Sequence, residues 1–582
     1  MPPKRRASQR LKESASVGNE SREKRIATGT RKPKKKGPTS RPSAHSRLAA
    51  KEAVDAAISS PEKKKATLAN IPDELLLMIF CHFRLVGVLD GPVEEPVYWY
   101  EDRENLFQKR CNILQSLCMT CKSLCRVAQP LLYEVIKCLN SRHHRWHFLR
   151  TLVNQPELGK AVKEVHLRYE GETPERGLGK LAPEVMEAAK SVDIEMSRAF
   201  MRALETGRSE AQIALAMALM PNLGYINFCL EERFIEDYNW MFRLLRNSTF
   251  NLTHKNNSSS GADDTTPTVP FANIKRIETS YGGTQFGYNP LFISEFAALP
   301  HLQQIMIKSA WSDERSCGLS SWDPAPGISS ITHINLDASS VTNDFVRKLL
   351  RACRAPKTFI YSWGGAPPTD TMHAFGDFMD ALRTRAESLE TIRLDVVLKA
   401  NYFESLAIEN EYLPPIGSFK AFKRLMELEI PGHLLLGSPL LDWEHFDGEH
   451  WPAFTAQLDY AALTDVFPRS LRRLIVDCMG LEEDVTFILP LLDELAATCA
   501  ERLPDLKFVK LIVVDENDFS LLEGVKKALE RQGVEVQVKD FIDEEGWEDD
   551  MEVRYGEDGR KKITSRLIGD ILHMWPHMVA QN

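Results

Sequence analysis

Cysteine and histidine are the residues whose spacing first suggests chemistry. Cys118-x-x-Cys121-x-x-x-Cys125 has the outline of half a zinc site, since thiolates a few residues apart can share one tetrahedral metal. No His or Cys pair with finger spacing follows closely, and the same spacing matches one turn of an amphipathic helix. Buried small apolar side chains are expected there, not zinc. His143 and His147 in SRHHRWHF share a helix face, but no acidic or third ligand accompanies them. The sequence has no Gly-rich phosphate loop ending in Lys-Ser or Lys-Thr, no His-Glu-x-x-His and no Gly-x-Ser-x-Gly. Gly282-Gly283 and Gly364-Gly365 lack a surrounding phosphate pattern and read as turns. No thiol stands out as an activated nucleophile. The chain is expected to be non-catalytic, with no metal and no cofactor, so its function must lie in its surfaces.

Two apolar stretches are the elements that could form such a surface. In ANIPDELLLMIFCHF (69–83), Pro72 sits where a first helical position would lie, and Asp73 and Glu74 suit the positive end of the helix dipole. Leu75, Leu76, Ile79, Phe80 and Phe83 then recur as a helical stripe. In ILQSLCMTCKSLCRVAQPLLYEVI (113–136), Leu114, Leu117, Cys118, Cys121, Leu124, Cys125 and Ala128 do the same until Pro130 ends the run. Two short helices cannot bury these stripes on each other alone. A large apolar side chain gains roughly 1.5–3 kcal/mol on full burial, so a shared partner surface is expected.

These stretches resemble the F-box, through Ile71-Pro72-Asp73-Glu74-Leu75 at the start and Leu117, Cys121-Lys122, Leu124 and Leu131-Leu132-Tyr133 at the end. Ile-Pro replaces the family's usual Leu-Pro. The larger departure is an insertion, 84–111, whose GPVEEPVYWYEDREN reads as a loop. The resemblance implies docking on the Skp-type adaptor of cullin–RING ubiquitin ligases. The residues expected to dock are Ile71, Pro72, Leu75, Leu76, Ile79, Phe80, Leu114, Leu117, Cys121, Leu124 and Tyr133, with some of them serving as internal core.

Charge divides the 582-residue chain. Residues 1–65 carry 19 Lys+Arg against 6 Asp+Glu, and the remainder carries 54 against 75. KRR at 4–6, RKPKKK at 31–36 and KKK at 63–65 lie among Ser, Thr, Gly and Pro, so a disordered basic tail is expected over 1–66. It suits nuclear import or weak, salt-sensitive contact with nucleic acid. No apolar run approaches ~18–20 residues, so no membrane span is expected. The N-terminus lacks a secretory h-region. The 11 cysteines sit mostly inside apolar patterns, as reduced thiols would. These features fit the nucleus and/or cytoplasm.

Beyond residue 140 a Φ-x-x-Φ-x-Φ signature recurs, with Φ apolar in most copies. It appears as Val162/Val165/Leu167, Leu223/Ile226/Phe228, Ile274/Ile277/Thr279, Leu302/Ile305/Ile307 and Ile331/Ile334/Leu336. It continues as Pro356/Phe359/Tyr361, Leu389/Ile392/Leu394, Leu425/Leu428/Ile430, Leu471/Leu474/Val476 and Leu506/Val509/Leu511. Each copy predicts a short strand preceded by a covering helix. Neighbouring copies are mostly about 25–50 residues apart, longer than the usual leucine-rich repeat. The pattern looks like the irregular leucine-rich-repeat body commonly fused to fungal F-boxes. Residues 183–219 are expected to be helix, 247–270 a polar loop, 521–531 a helix and 533–538 a closing strand. An amphipathic helix is expected over 563–575, after an acidic run at 540–552.

The expected fold is α/β: a helical F-box (67–140, with inserted loop 84–111), then an irregular leucine-rich-repeat solenoid of alternating helices and short parallel strands (141–541). An acidic segment with a C-terminal helix (542–582) follows. The function this implies is substrate recognition in an SCF-type cullin–RING E3 ubiquitin ligase, with the Skp-type adaptor and cullin reached through the F-box and an unknown protein target on the repeats. The alternatives are a non-ligase F-box scaffold, or a nuclear chromatin- or nucleic-acid-associated protein using the basic tail. In such a repeat the residues between and after the apolar ones face the open side of the sheet. Here these include His166, Arg168, Asn227, Met306, Lys308, Asn335, Asp337, Arg393, Asp395, Glu429, Asp477 and Lys510. Their signs are mixed, without the Arg cluster that a phosphorylated target calls for.

Overall fold

A computed structural model of the chain describes residues 71–86, 99–137, 142–168, 182–192, 194, 197–230, 239–255, 270–281, 290, 293–312, 322–363, 375–396, 412–413, 415–439, 463–478, 485–513, 516–540, 551–555 and 561–565. The expected basic tail lies outside them.

All ten signatures form strands of one twelve-stranded parallel sheet. In chain order the strands are Val135–Lys137 (β1), Glu164–Arg168 (β2), Tyr225–Leu230 (β3), Arg276–Tyr281 (β4), Gln304–Lys308 (β5) and His333–Ser339 (β6). Then come Thr358–Trp363 (β7), Thr391–Val396 (β8), Glu427–Pro431 (β9), Arg473–Asp477 (β10), Phe508–Val513 (β11) and Glu535–Asp540 (β12). Each strand pairs with its sequence neighbours, the topology of a solenoid.

The signature's fixed spacing has a backbone cause. The carbonyl just before each strand from β1 to β10 accepts two consecutive N–H groups from the next repeat. Lys163 O accepts from Gly224 and Tyr225, Gly224 O from Lys275 and Arg276, and Lys275 O from Gln303 and Gln304. The series runs on through Thr332, Lys357, Glu390, Met426 and Arg472. This fork sets the register at each strand's start, so the length of the intervening segment is free to vary. The second signature residues then stack in register: Val165 beside Ile226, Ile226 beside Ile277, and on to Leu474 beside Val509. They and the first signature residues enter one continuous core with the covering helices. Helix Asn343–Ala352 shows how those helices are set. Thr342 Oγ1 accepts from Phe345 N at its N-cap, and Phe345, Val346, Leu349 and Leu350 go into the core.

The N-terminal helices are Asp73–Phe80 (α1), Trp99–Thr120 (α2) and Lys122–Leu132 (α3). Leu76, Phe80, Phe107, Cys111, Leu114, Leu124, Ala128 and Leu131 form a second, smaller core among them. Pro72 is the N-cap, one position earlier than expected, and its carbonyl accepts from the Leu75 and Leu76 N–H groups.

Several expectations are corrected. The 84–111 insertion is not all loop: 99–111 is the first half of α2, because Phe107, Cys111 and Leu114 recur at helical spacing and pack inward. Residues 87–98 lie outside the described residues. The second apolar stretch is not one helix stopped by Pro130. It breaks at Cys121, whose backbone is extended, and Pro130 sits inside α3 near its end. Residues 183–219 form three helices, Pro183–Lys190, Ser197–Glu205 and Ser209–Ala218. The polar stretch from 247 begins as helix, within Asn239–Lys255, and Ser248 is buried there. Residues 256–269 lie outside the described residues. Near the C-terminus Lys561–Ser565 pairs antiparallel with Met551–Tyr555, so Ile563 lies in a strand rather than opening a helix. Residues 566–582 lie outside the described residues. The expected closing strand is β12, preceded by helix Glu516–Arg531.

Candidate protein-interaction surfaces

The helical unit leaves part of its apolar surface uncovered. Helix α1 reads DELLLMIF. Leu76 and Phe80 are buried, yet Leu75, Leu77, Met78 and Ile79 are 43–68% exposed. Leu75, Met78 and Ile79 share one face by their three- and four-residue spacing. Leu106, Ile113 and Met119 of α2 are also exposed. Nine large apolar residues are exposed among the described residues, and seven belong to this unit, the others being Ile328 and Leu521. Exposed apolar surface is thus concentrated here, and such concentration marks an interaction site.

This geometry sorts the eleven residues expected to dock. Leu75, Ile79 and Pro72 are exposed. Ile71, Leu117, Cys121 and Tyr133 are half-buried. Leu76, Phe80, Leu114 and Leu124 are interior, so for these four a docking role is replaced by a packing one. Leu77, Met78, Leu106, Ile113 and Met119 were missed. For α1 the signal was present, because a helix apolar all round must turn one side away from its own core. Cys118, Cys121 and Cys125 are unbridged. Burial, with Cys125 adding to it, pushes the Cys118 thiol up to about 11, away from the thiolate a metal would need. Among the described residues no cluster of three or more His, Cys, Asp or Glu is placed to hold a metal.

Glu134 joins this unit to the sheet. Its carboxylate is buried and accepts from Arg84 Nε and Nη2, both at 2.7 Å, and from Lys163 Nζ at 2.5 Å. Arg84 follows α1, and Lys163 precedes β2. The Glu134 carbonyl makes the first backbone fork, accepting from Lys163 N and Glu164 N. This bonding holds the Arg84 guanidinium above its ordinary value, despite partial burial. Lys137 Nζ sits 4.1 Å from the Phe107 ring centroid, and Tyr133 stacks on Phe148 at 6.4 Å.

The second surface is the sheet face opposite the core. The register puts every residue expected on the open side there, including His166, Arg168, Asn227, Met306 and Lys308. At one end Tyr225 Oη donates to Glu278 Oε2 (2.7 Å), Asn227 Nδ2 donates to Tyr225 Oη (3.3 Å), and Arg276 lies 3.3 Å from Glu278. Burial and the neighbouring Glu278 raise the Tyr225 phenol well above its usual range. Farther along, Arg393 reaches Glu427 (3.8 Å) and Glu429 (3.5 Å). Burial raises the Asp337 and Glu429 carboxyls above the ordinary range, with Lys308 and Arg393 partly opposing it.

Mixed signs in chain order become ordered in space. Across β6 to β10 the open face carries Asp337, Asp395, Glu427, Glu429 and Asp477 against Arg393 and Arg473. Spacing along the chain hid this, because paired residues of adjacent strands are about 25–46 positions apart. No helix among the described residues is long and apolar enough to cross a membrane.

No curated protein matches the chain. A family model described as a leucine-rich repeat domain matches residues 142–541, more than half of the chain, from the helix that follows β1 to the residue after β12. The repeating strand, the carbonyl fork and this match agree: the chain belongs to the leucine-rich repeat domain family.

Proposed function

We propose that the chain is the substrate-recognition subunit of an SCF-type cullin–RING E3 ubiquitin ligase, with the helical unit docking a Skp-type adaptor and the open sheet face holding a protein target. The observation that carries this reading is the exposed apolar row Leu75, Met78 and Ile79 on α1, in the segment that resembles an F-box. A repeat domain built for protein contact supports the second half. In this reading the chain itself makes and breaks no bond. It contributes proximity, holding a target near the ubiquitin-loaded enzyme recruited through the adaptor and cullin. The Glu134 junction gives that proximity a defined geometry.

Co-purification with a Skp-type adaptor tests the docking step. Leu75→Glu with Met78→Glu changes only exposed side chains, so folding is retained while adaptor recovery falls at least about tenfold, as expected when charge is placed in an apolar contact. Undiminished recovery overturns the docking assignment. Polyubiquitination of a bound protein in the reconstituted complex separates a receptor from a non-ligase scaffold.

A further inference from the structure

The solenoid ends on an open strand edge. β12 pairs with β11 on one side, and no strand among the described residues pairs with its other side. Glu535 N donates to Lys507 O, so the backbone groups of Glu535, Gln537 and Lys539 turn toward β11. Those of Val536 and Val538 therefore turn outward, each with one N–H and one C=O. Such an edge is a template for a further strand.

The apolar layer is unfinished at the same end. Val536 is 6% exposed, whereas Val538 is only partly buried against the core. Helix Glu516–Arg531, which packs on β12, buries Leu522, Val525 and Leu529 but leaves Leu521 43% exposed. A terminal repeat that faced only water would carry a polar outer side.

The strand's own sequence names what fits it. Glu535-Val536-Gln537-Val538-Lys539 carries opposite charges at equal distances from Gln537. Two copies running antiparallel about that residue set Glu535 against Lys539, Val536 against Val538 and Gln537 against Gln537. In an antiparallel ladder, directly opposite residues whose backbone groups face each other exchange both N–H···O bonds. The Val536–Val538 pairs do this here, because their groups are the outward ones. Opposite residues also share a sheet face. The valines extend the apolar layer, and Glu535 meets Lys539 on the open face at the closer, non-hydrogen-bonded positions. Sliding by one residue loses the match of backbone groups. Sliding by two sets Val536 against Asp540 in one direction and Lys539 against Gly533 in the other. Glu535 accepts from Gln537 Nε2 at 3.2 Å within the strand, and a carboxylate has room for a further donor.

We propose that β12 pairs with β12 of a second copy of this chain, antiparallel about Gln537, in a two-fold dimer. The two sheets continue into one another across the axis, with both open faces on the same side. The pairing does not depend on what either the helical unit or the open face binds.

Sedimentation velocity of the full chain, from about 1 to about 300 μM in about 0.15 M salt, is the test; a strand edge is a small contact, so the dimer is weak and transient. Val538→Pro removes an outward N–H without touching the β11 ladder, and it abolishes the dimer. Glu535→Lys and Lys539→Glu change only exposed side chains, and each weakens self-association about tenfold by setting like charges opposite. Unchanged melting temperatures of these two variants show that folding is retained. Mixed together, the two pair with each other within about twofold of the wild-type affinity, because every Lys then faces a Glu.

A monomer throughout that concentration range overturns the proposal. A dimer that survives Val538→Pro forms elsewhere on the chain and overturns it too. So does a mixture of the charge variants that associates no more tightly than either alone, since the register about Gln537 requires the rescue.

Discussion

At the scale of single residues, the strongest constraints come from close approach and desolvation. Gly159 lies in the helix Pro156–Ala161, where an added Cβ would meet the Leu219 carbonyl oxygen at 2.3 Å. A backbone atom cannot rotate aside, so Gly159→Ala lowers stability by about 1–3 kcal/mol, read as a lower denaturant midpoint at unchanged slope. Asp337 and Glu429 show the other constraint. Burial raises both carboxyl pKa values, so their contribution to stability is greatest at low pH and is lost as pH rises through those raised values. Asp337→Asn and Glu429→Gln therefore each raise the melting temperature near neutral pH. The gain vanishes below the ordinary carboxylate range, about pH 4. A gain that persists unchanged in acid would assign the effect to packing instead.

At the scale of elements, the ten strands were legible because two rules act together. Alternation puts Ile226 and Phe228 on the core side and Tyr225 and Asn227 on the other, and the carbonyl fork repeats at each strand start. β1 was missed because Val135–Lys137 is three residues long, too short to show a period. Helix α2 was half-missed because Pro, acids and aromatics upstream masked the Phe107–Cys111–Leu114 spacing. Sequence alone could not sort Leu75 from Leu76, since each continues an apolar helical stripe and only the partner helices decide which is covered. The junction is likewise tertiary: Arg84, Glu134 and Lys163 are far apart in the chain. Removing a buried carboxylate strands its partners, a loss reduced here because Arg84 and Lys163 are over a third exposed. Glu134→Ala is expected to cost about 1–3 kcal/mol, and limited proteolysis of the variant should cut first between the helical unit and β2. Cleavage elsewhere first would show that Glu134 does not hold the junction.

At the scale of the molecule, the account is of two surfaces on one folded body: an apolar face on the helical unit and a charged, open face on the sheet. The sheet face was readable residue by residue but not as a pattern, because its carboxylates become neighbours only when the repeats stack. Hydrogen–deuterium exchange of the full chain, alone and with a Skp-type adaptor, tests the central claim most directly. The account predicts added protection over 73–83 and 106–120, with none over β6 to β10. Adaptor-dependent protection on the sheet face, or none on the helical unit, would contradict it.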